Sequence, residues 1–392
     1  MDYSKIRVLV TDSAGKQPLA MIRGLRELHC HITVLSSSKW DSCYVSNIPN
    51  KKILEERLYE DNPNAFTQEE KLAFYLDLAK TGEYDVFMPI GEKSTNFVTT
   101  YQAELSKYVK LACAPREVYI KAFNKQLTFE QAMKSGVPCP KTRRDGQSIE
   151  DYLKDVKFPI IIKPRQGLGS IGFHKFKTEE EFREKLKDAS FNVDDYVVQE
   201  FIQFDHRIDA NIFMDRKGQV CTSYSADVLR WFPIDAGAGV LIQSINEPEA
   251  IQFAGQLLHD MGWQGFANVN FMIEKETGEL RLLEINGRIP ASVKLAFMCG
   301  FNISQQLLEM VYDEQVTQYP MNDKFGMYIR HFDTDIAWFL KSPDRFRANP
   351  SWFSWKNTQE ALFSKDDMKP FFSNILQRIL RYNKTMKKKK HQ

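Results

Sequence analysis

The sequence predicts a two-part architecture: an α/β region built on a parallel sheet, followed by a strand-rich α+β region with a small C-terminal extension. Three observations carry this. Short apolar strands alternate with helical stretches through the first third. Between about residues 158 and 290, strands follow one another with few helices between them. At 392 residues the chain also exceeds what a single core usually organises. The divisions fall near 1–120, 121–318 and 319–392, the middle part splitting into a smaller piece, 125–203, and a larger one, 204–318.

Ile6 to Val10 is a short apolar strand, and Pro18 to Leu28 places Leu19, Ile22, Leu25 and Leu28 at helical spacing. Ile32 to Leu35 is a second strand; Lys71 to Lys80 is a helix and Asp85 to Ile90 a further strand. Strands joined by helical crossovers imply a parallel sheet. The turn Thr11-Asp12-Ser13-Ala14-Gly15-Lys16 is neither G-x-G-x-x-G nor a Walker A loop, which argues against a nicotinamide-binding Rossmann site.

Lys125 to Lys134 reads as a helix, broken by Ser135-Gly136-Val137-Pro138. Phe158 to Pro164 is a buried strand carrying Lys163 near its end. The loop Arg165 to Gly172 follows, then a returning strand, Phe173 to Phe176. Gly167, Gly169, Ser170 and Gly172 make a loop whose N–H groups can approach phosphate oxygens closely, although a plain glycine turn is the commoner explanation of such a stretch alone. Val197 to Ile202 and Ile208 to Met214 are strands, Val220 to Ser225 returns, and helix Glu247 to Met261 leads into a hairpin.

That hairpin is the most informative part of the chain. Phe266 to Ile273 and Leu282 to Arg288 flank the turn Glu276-Thr277-Gly278-Glu279, which brings Asn270 beside Glu284. Alternation along the second strand puts Glu284, Asn286 and Arg288 on one face. A carboxylate and an amide oxygen are hard ligands suited to Mg²⁺, and a guanidinium nearby can hold a phosphate or carboxylate. Alone, E-x-N-x-R is more often an ordinary ion pair on a half-buried strand; its partners elsewhere in the chain reverse that.

Composition narrows the function. Hydrophobic residues make up 43% and charged residues 27%, as in ordinary globular proteins, and the net charge of +2 argues against global nucleic-acid binding. No apolar run reaches the roughly 18 residues needed to cross a bilayer, and Met1 to Lys5 enters a strand with no signal-like segment, so a cytoplasmic location is expected. The six cysteines are scattered with no C-x-x-C pair, and read as reduced, mostly buried small hydrophobes.

Taken in order, Lys125, Pro138-Cys139-Pro140-Lys141-Thr142, Lys163 with its glycine loop, Glu200-Phe201-Ile202, Arg230, Asn270 and Glu284-x-Asn286-x-Arg288 resemble the ATP-grasp fold, in the branch of carbamoyl-phosphate synthase large subunit and biotin carboxylase. The resemblance covers roughly residues 5 to 315, the first region resembling a preATP-grasp domain. It implies that Lys125 and Lys163 neutralise phosphate oxygens of ATP while Gln166, Gly167, Gly169, Ser170 and Gly172 close over the phosphates. It also implies Glu200 on the adenine amino group, Phe201 and Ile202 on the ring edge, and Asp205, or failing that Asp209, on the ribose. Glu284 would bridge two Mg²⁺ ions, or Mn²⁺ in their place, with Asn270 on one and Asn286 on the other. The family usually carries Glu or Gln at the position of Asn270, where this chain has a shorter, uncharged amide. Arg288 and Arg230, with Lys163, would hold the transferred phosphoryl group.

The implied chemistry is phosphorylation of a carboxylate to an acyl phosphate, which an amine or less often a thiol then captures. Small-molecule carboxylate and amine substrates are thus expected, and a homodimer is in keeping with the family. The competing reading is a nucleotide-binding regulatory or scaffold protein with an impaired site. Residues 320 to 392 lie outside the family's motifs. Phe371, Phe372, Ile375, Leu376, Ile379 and Leu380 recur at helical spacing with basic residues between them and run into Lys387 to Lys390. A helix docked on the body is expected there, with peripheral contact to an anionic membrane as the alternative.

Overall fold

The computed structural model describes residues 1–167, 172–234, 237–319 and 323–378. Its first sheet is parallel, with strands β1 (Arg7–Val10), β2 (His31–Ser36), β3 (Lys51–Leu54), β4 (Val86–Met88) and β5 (Lys110–Leu111) in the order β3-β2-β1-β4-β5. Val8, Leu9 and Val10 are all fully buried, as a strand covered by helices on both faces requires. Helix Lys16–Glu27 buries Leu19, Ile22 and Leu25, the stripe its spacing predicts. Helix Gln68–Lys80 starts three residues earlier than its apolar pattern suggests, because Thr67 and Glu70 form a reciprocal capping box.

Asp12, at the end of β1, accepts hydrogen bonds from the N–H groups of Ile90 and Gly91, at 2.9 and 3.2 Å, and from the Ser94 hydroxyl. The turn after β1 is thus tied to the turn after β4, which leads into helix Glu92–Thr100.

A three-stranded antiparallel sheet follows, β6 (Ile160–Pro164), β7 (His174–Phe176) and β8 (Tyr196–Glu200), in the order β7-β6-β8. It has its own small core of Tyr152, Ile160, Ile162, Phe176, Phe182 and Val198. The largest sheet contains β9 (Phe204–Met214), β10 (Val220–Phe232), β11 (Ala238–Ile245), β12 (Gly265–Glu274), β13 (Leu280–Asn286), β14 (Tyr328–Arg330) and β15 (Thr358–Glu360), ordered β13-β12-β9-β10-β11-β14-β15. β10 runs through Arg230, well past the expected end at Ser225. Helices Lys125–Lys134 and Pro248–Met261 cover one face of this sheet in a core containing Phe129, Leu257, Val269 and Phe271. A second core joins the other face to the first sheet through Leu295, Phe301 and Leu308.

The C-terminal extension is integral to this body. β14 pairs with β11, and β15 pairs with β14. Residues 369–378 are helical and docked: the Ser373 hydroxyl and the Gln377 amide each donate to Trp40 O at 2.9 Å, Arg378 Nε donates to Asp333 Oδ2 at 2.6 Å, and Phe371 packs on the core. The docked helix agrees with the first of the two expectations as far as residue 378; Ile379, Leu380 and the lysine run, on which the membrane alternative rests, lie outside the described residues. No helix among the described residues is long and apolar enough to cross a membrane.

Candidate active site

Three neighbouring strands build a polar face. The register pairs Asn270 with Asp209 on one side and with Glu284 on the other; Asn268 is likewise flanked by Asn211 and Asn286. Asn268, Asn270, Asn211 and Asp209 are buried, so their polar atoms need partners. They supply each other. Asn270 Nδ2 donates to Asp209 Oδ1 at 2.7 Å and to Asn268 Oδ1 at 3.0 Å. Asn286 Nδ2 donates to Asn270 Oδ1 at 2.9 Å and to Asn268 Oδ1 at 3.2 Å, and Asn268 Nδ2 donates to Asn211 Oδ1 at 3.0 Å. Burial pushes the Asp209 carboxyl up, while Arg207, 3.5 Å away, opposes the shift.

Within this network the described residues direct no hydrogen bond at the Glu284 carboxylate or at Asn286 Oδ1. These oxygens suit a hard divalent cation, with Asn270 Oδ1 beside them. The charge is sparse, however. Among the described residues no group of three His, Cys, Asp or Glu side chains is placed to hold a metal ion.

The surroundings of Lys163 are built by an irregularity. Between the pairs Asn270–Glu284 and Phe271–Leu282 the register slips, leaving Leu283 without a partner in the ladder. Its carbonyl accepts a hydrogen bond from Lys163 Nζ at 3.3 Å, and the same ammonium lies 4.5 Å from the centre of the Phe129 ring. Burial pulls Lys163 down to about 7, with Lys125 reinforcing the shift and Glu284 opposing it. Lys125 is the first residue of its helix and donates to Gly167 O at 3.0 Å, so it faces the start of the glycine loop. Gly172 closes that loop at φ +77°, where an added Cβ would lie 2.8 Å from Pro164 Cγ. Gln166 is exposed at the loop's beginning; Gly169 and Ser170 lie outside the described residues.

At the expected nucleobase end, Glu200 Oε1 accepts from Lys141 N at 2.7 Å and Glu200 N donates to Lys141 O at 3.0 Å, which locks the end of β8. Lys175 stacks on the Phe201 ring, 3.2 Å from its centre, and Ile202 is buried. Asp205 is exposed and lies 3.4 Å from Lys275. Asp209 stands on the amide face with Asn270, not beside Glu200.

The two arginines differ from expectation in position. β13 ends at Asn286, so Arg288 lies beyond the strand instead of on its face. The chain turns at Gly287, where an added Cβ would lie 2.7 Å from Trp263 Cη2 and 3.2 Å from the Tyr119 ring. Arg288 Nε then faces Glu92 Oε2 at 3.9 Å. Arg230 belongs to another cluster: it pairs with the buried Asp335 at 3.1 Å and packs on Trp338. Among the described residues nothing connects Arg230 to Glu284 or Arg288.

Glu92 is the residue that sequence reasoning misses. Burial pushes its carboxyl up, and Arg288 and Lys125 oppose that shift, so a carboxylate from the first region faces this site. Its only local signal is an acidic residue at a helix N-terminus, a position that the helix dipole alone explains.

Residues 122–292 match the ATP-grasp domain family. The N-terminal section of the carbamoyl phosphate synthase large chain of Methanopyrus kandleri is 23% identical over 158 residues, 38% of this chain and 28% of that protein. D-aspartate ligase of Enterococcus faecium is 25% identical over 241 residues, 56% of each protein. The chain thus spans less than two thirds of either relative. Among solved structures, the biotin carboxylase domain dimer of Hydrogenobacter thermophilus 2-oxoglutarate carboxylase, in complex with MgADP, ADP and bicarbonate, shares the fold. It aligns with a TM-score of 0.66 at 18% identity, covering 82% of this chain and 73% of that one.

Proposed function

We propose that this chain is an ADP-forming ligase that activates a carboxylate with ATP and joins it to an amine, or less often a thiol. A carboxylate oxygen attacks the γ-phosphorus, the bond to the β-phosphate oxygen breaks and ADP departs. The amine then attacks the acyl carbon, inorganic phosphate leaves with the carboxylate's former oxygen, and the nitrogen loses a proton. The observation that carries this reading is the convergence of Lys163, Lys125 and the open oxygens of Glu284 and Asn286 at one end of the β12–β13 hairpin. Phosphoryl transfer needs little beyond positioning and charge neutralisation, which is what such a set supplies.

Lys163 and Lys125 would neutralise phosphate oxygens. Glu284, Asn286 and Asn270 would hold Mg²⁺, which supplies charge neutralisation at the transferred phosphoryl group when bound. Arg288 would face that group, with Glu92, 3.9 Å from its guanidinium, as its partner from the first region. The likeness to D-aspartate ligase supports an amine acceptor.

The test is ADP and phosphate release from the full chain with Mg-ATP against a matrix of carboxylates and amines. Release should require both co-substrates, and Lys163→Ala or Glu284→Ala should lower it by about 10³-fold. Turnover that persists in Glu284→Ala would refute the metal assignment. Nucleotide binding without turnover on any pair would favour the regulatory alternative.

A further inference from the structure

Asn270 sits between two carboxylates, Asp209 across the ladder on β9 and Glu284 on β13. Its amide is directional: Nδ2 donates to Asp209 Oδ1 at 2.7 Å and Oδ1 accepts from Asn286 Nδ2 at 2.9 Å. A carboxylate can only accept, so Asp209 holds the donor end of the amide and turns Oδ1 toward β13, where the open oxygens of Glu284 and Asn286 lie. Asn268 Oδ1, at 3.0 Å, supports the same orientation. Asn270 brings no charge of its own, and a cation at the hairpin would meet a single carboxylate there. Asp209 is only 4% exposed and supplies a second negative charge from the neighbouring strand, partly offset by Arg207.

We propose that Asp209 is a positioning residue for the divalent cation that accompanies the nucleotide: it orients the Asn270 carbonyl oxygen toward the ion and provides the site's second negative charge from β9. This rests on the ligase reading above.

The experiment titrates Mn²⁺ into the full chain with ADP present and follows free Mn²⁺ by electron paramagnetic resonance. Asp209→Asn should weaken Mn²⁺ binding by about 10- to 100-fold, the usual effect of removing a group that orients a metal ligand. Binding of ADP in the presence of a chelator should stay the same. The exchange variant Asp209→Asn/Asn270→Asp moves the charge to β12, keeps one amide and one carboxylate in the pair, and should recover most of the Mn²⁺ affinity. It also carries the test should Asp209→Asn not fold, because it preserves the cross-ladder hydrogen bond. Wild-type Mn²⁺ affinity in Asp209→Asn, or no recovery in an exchange variant that melts like the wild type, overturns the proposal. If the wild-type chain binds Mn²⁺ no more tightly with ADP than without it, the ligase reading itself falls and this inference falls with it.

Discussion

The largest sheet carries two buried polar clusters, and they are built on opposite plans. Toward the β13 edge, amides satisfy one another while the Glu284 carboxylate is left open. Near the other edge, Asp335 is wholly buried and pairs with both Arg230 and Arg330; the rings of Trp352 and Trp355 each lie 4.5 Å from the Arg330 guanidinium. Burial pulls Arg230 down to about 10, with Asp335 opposing. The second cluster holds its carboxylate between two guanidinium groups, one positive charge in excess, and is closed by aromatic rings. The first leaves a carboxylate and an amide oxygen without a donor among the described residues. A carboxylate held between cations within the fold is structure, whereas one left without a partner points to a ligand.

The largest expected effect separates the two clusters directly. Asp335→Asn leaves two buried guanidinium groups without a carboxylate and should cost about 3–5 kcal/mol in urea unfolding. Replacing Arg230 and Arg330 by Met together with Asp335→Leu should recover most of that loss, since a packed apolar set needs no counter-charge. Glu284→Gln should change stability by less than about 0.5 kcal/mol while removing Mg-dependent nucleotide binding. Equal stability losses in the two single variants would erase the distinction.

Gly287→Ala tests how tightly the turn after β13 is packed. The added methyl meets Trp263 at 2.7 Å, so a loss of about 1–3 kcal/mol and a displaced Arg288 are expected, read as a lower melting temperature and weaker binding of nucleotide.

Lys163 offers a pH test. With its value pulled down to about 7, the folded chain gives up this proton as pH rises above 7, while the unfolded chain keeps it up to about 10.5. The burial penalty is therefore complete below pH 7 and relieved across that window, so stability should rise with pH relative to Lys163→Met. Phosphates restore the charged form, and ADP binding should take up as much as about one proton per site above pH 7. Calorimetry in two buffers of different ionisation enthalpy measures this uptake; none, or the same uptake in Lys163→Met, would remove Lys163 from the phosphate site. The smallest effect belongs to the docked helix. Arg378→Ala removes a half-exposed partner of Asp333 and should cost under about 1 kcal/mol, less at high salt.

Much of the fold was legible because local patterns and tertiary contacts agree. The Leu19, Ile22 and Leu25 stripe, the apolar run of β1 and the turn between β12 and β13 each fall where spacing and turn residues put them. The span that matches the ATP-grasp domain family, residues 122–292, contains the ordered motifs from Lys125 to Arg288. Arg230 and Arg288 were legible as cations but not as to which carboxylate each would meet. Asp335 and Glu92 lie about a hundred or more positions away along the chain, and no local pattern encodes such a pairing.

The sequence by itself determined the succession of elements, the alternation that sets Asn268 and Asn270 on one face of β12, and the chemical character of the candidate site, because these depend on short-range periodicity and residue type. Tertiary structure decided which charges are neutralised and which stay open. The slip at Leu283 that presents a carbonyl to Lys163, the placement of Asp209 behind Asn270 and the capture of Arg230 by Asp335 all arise from register and packing between distant segments, which only the closed sheet can set.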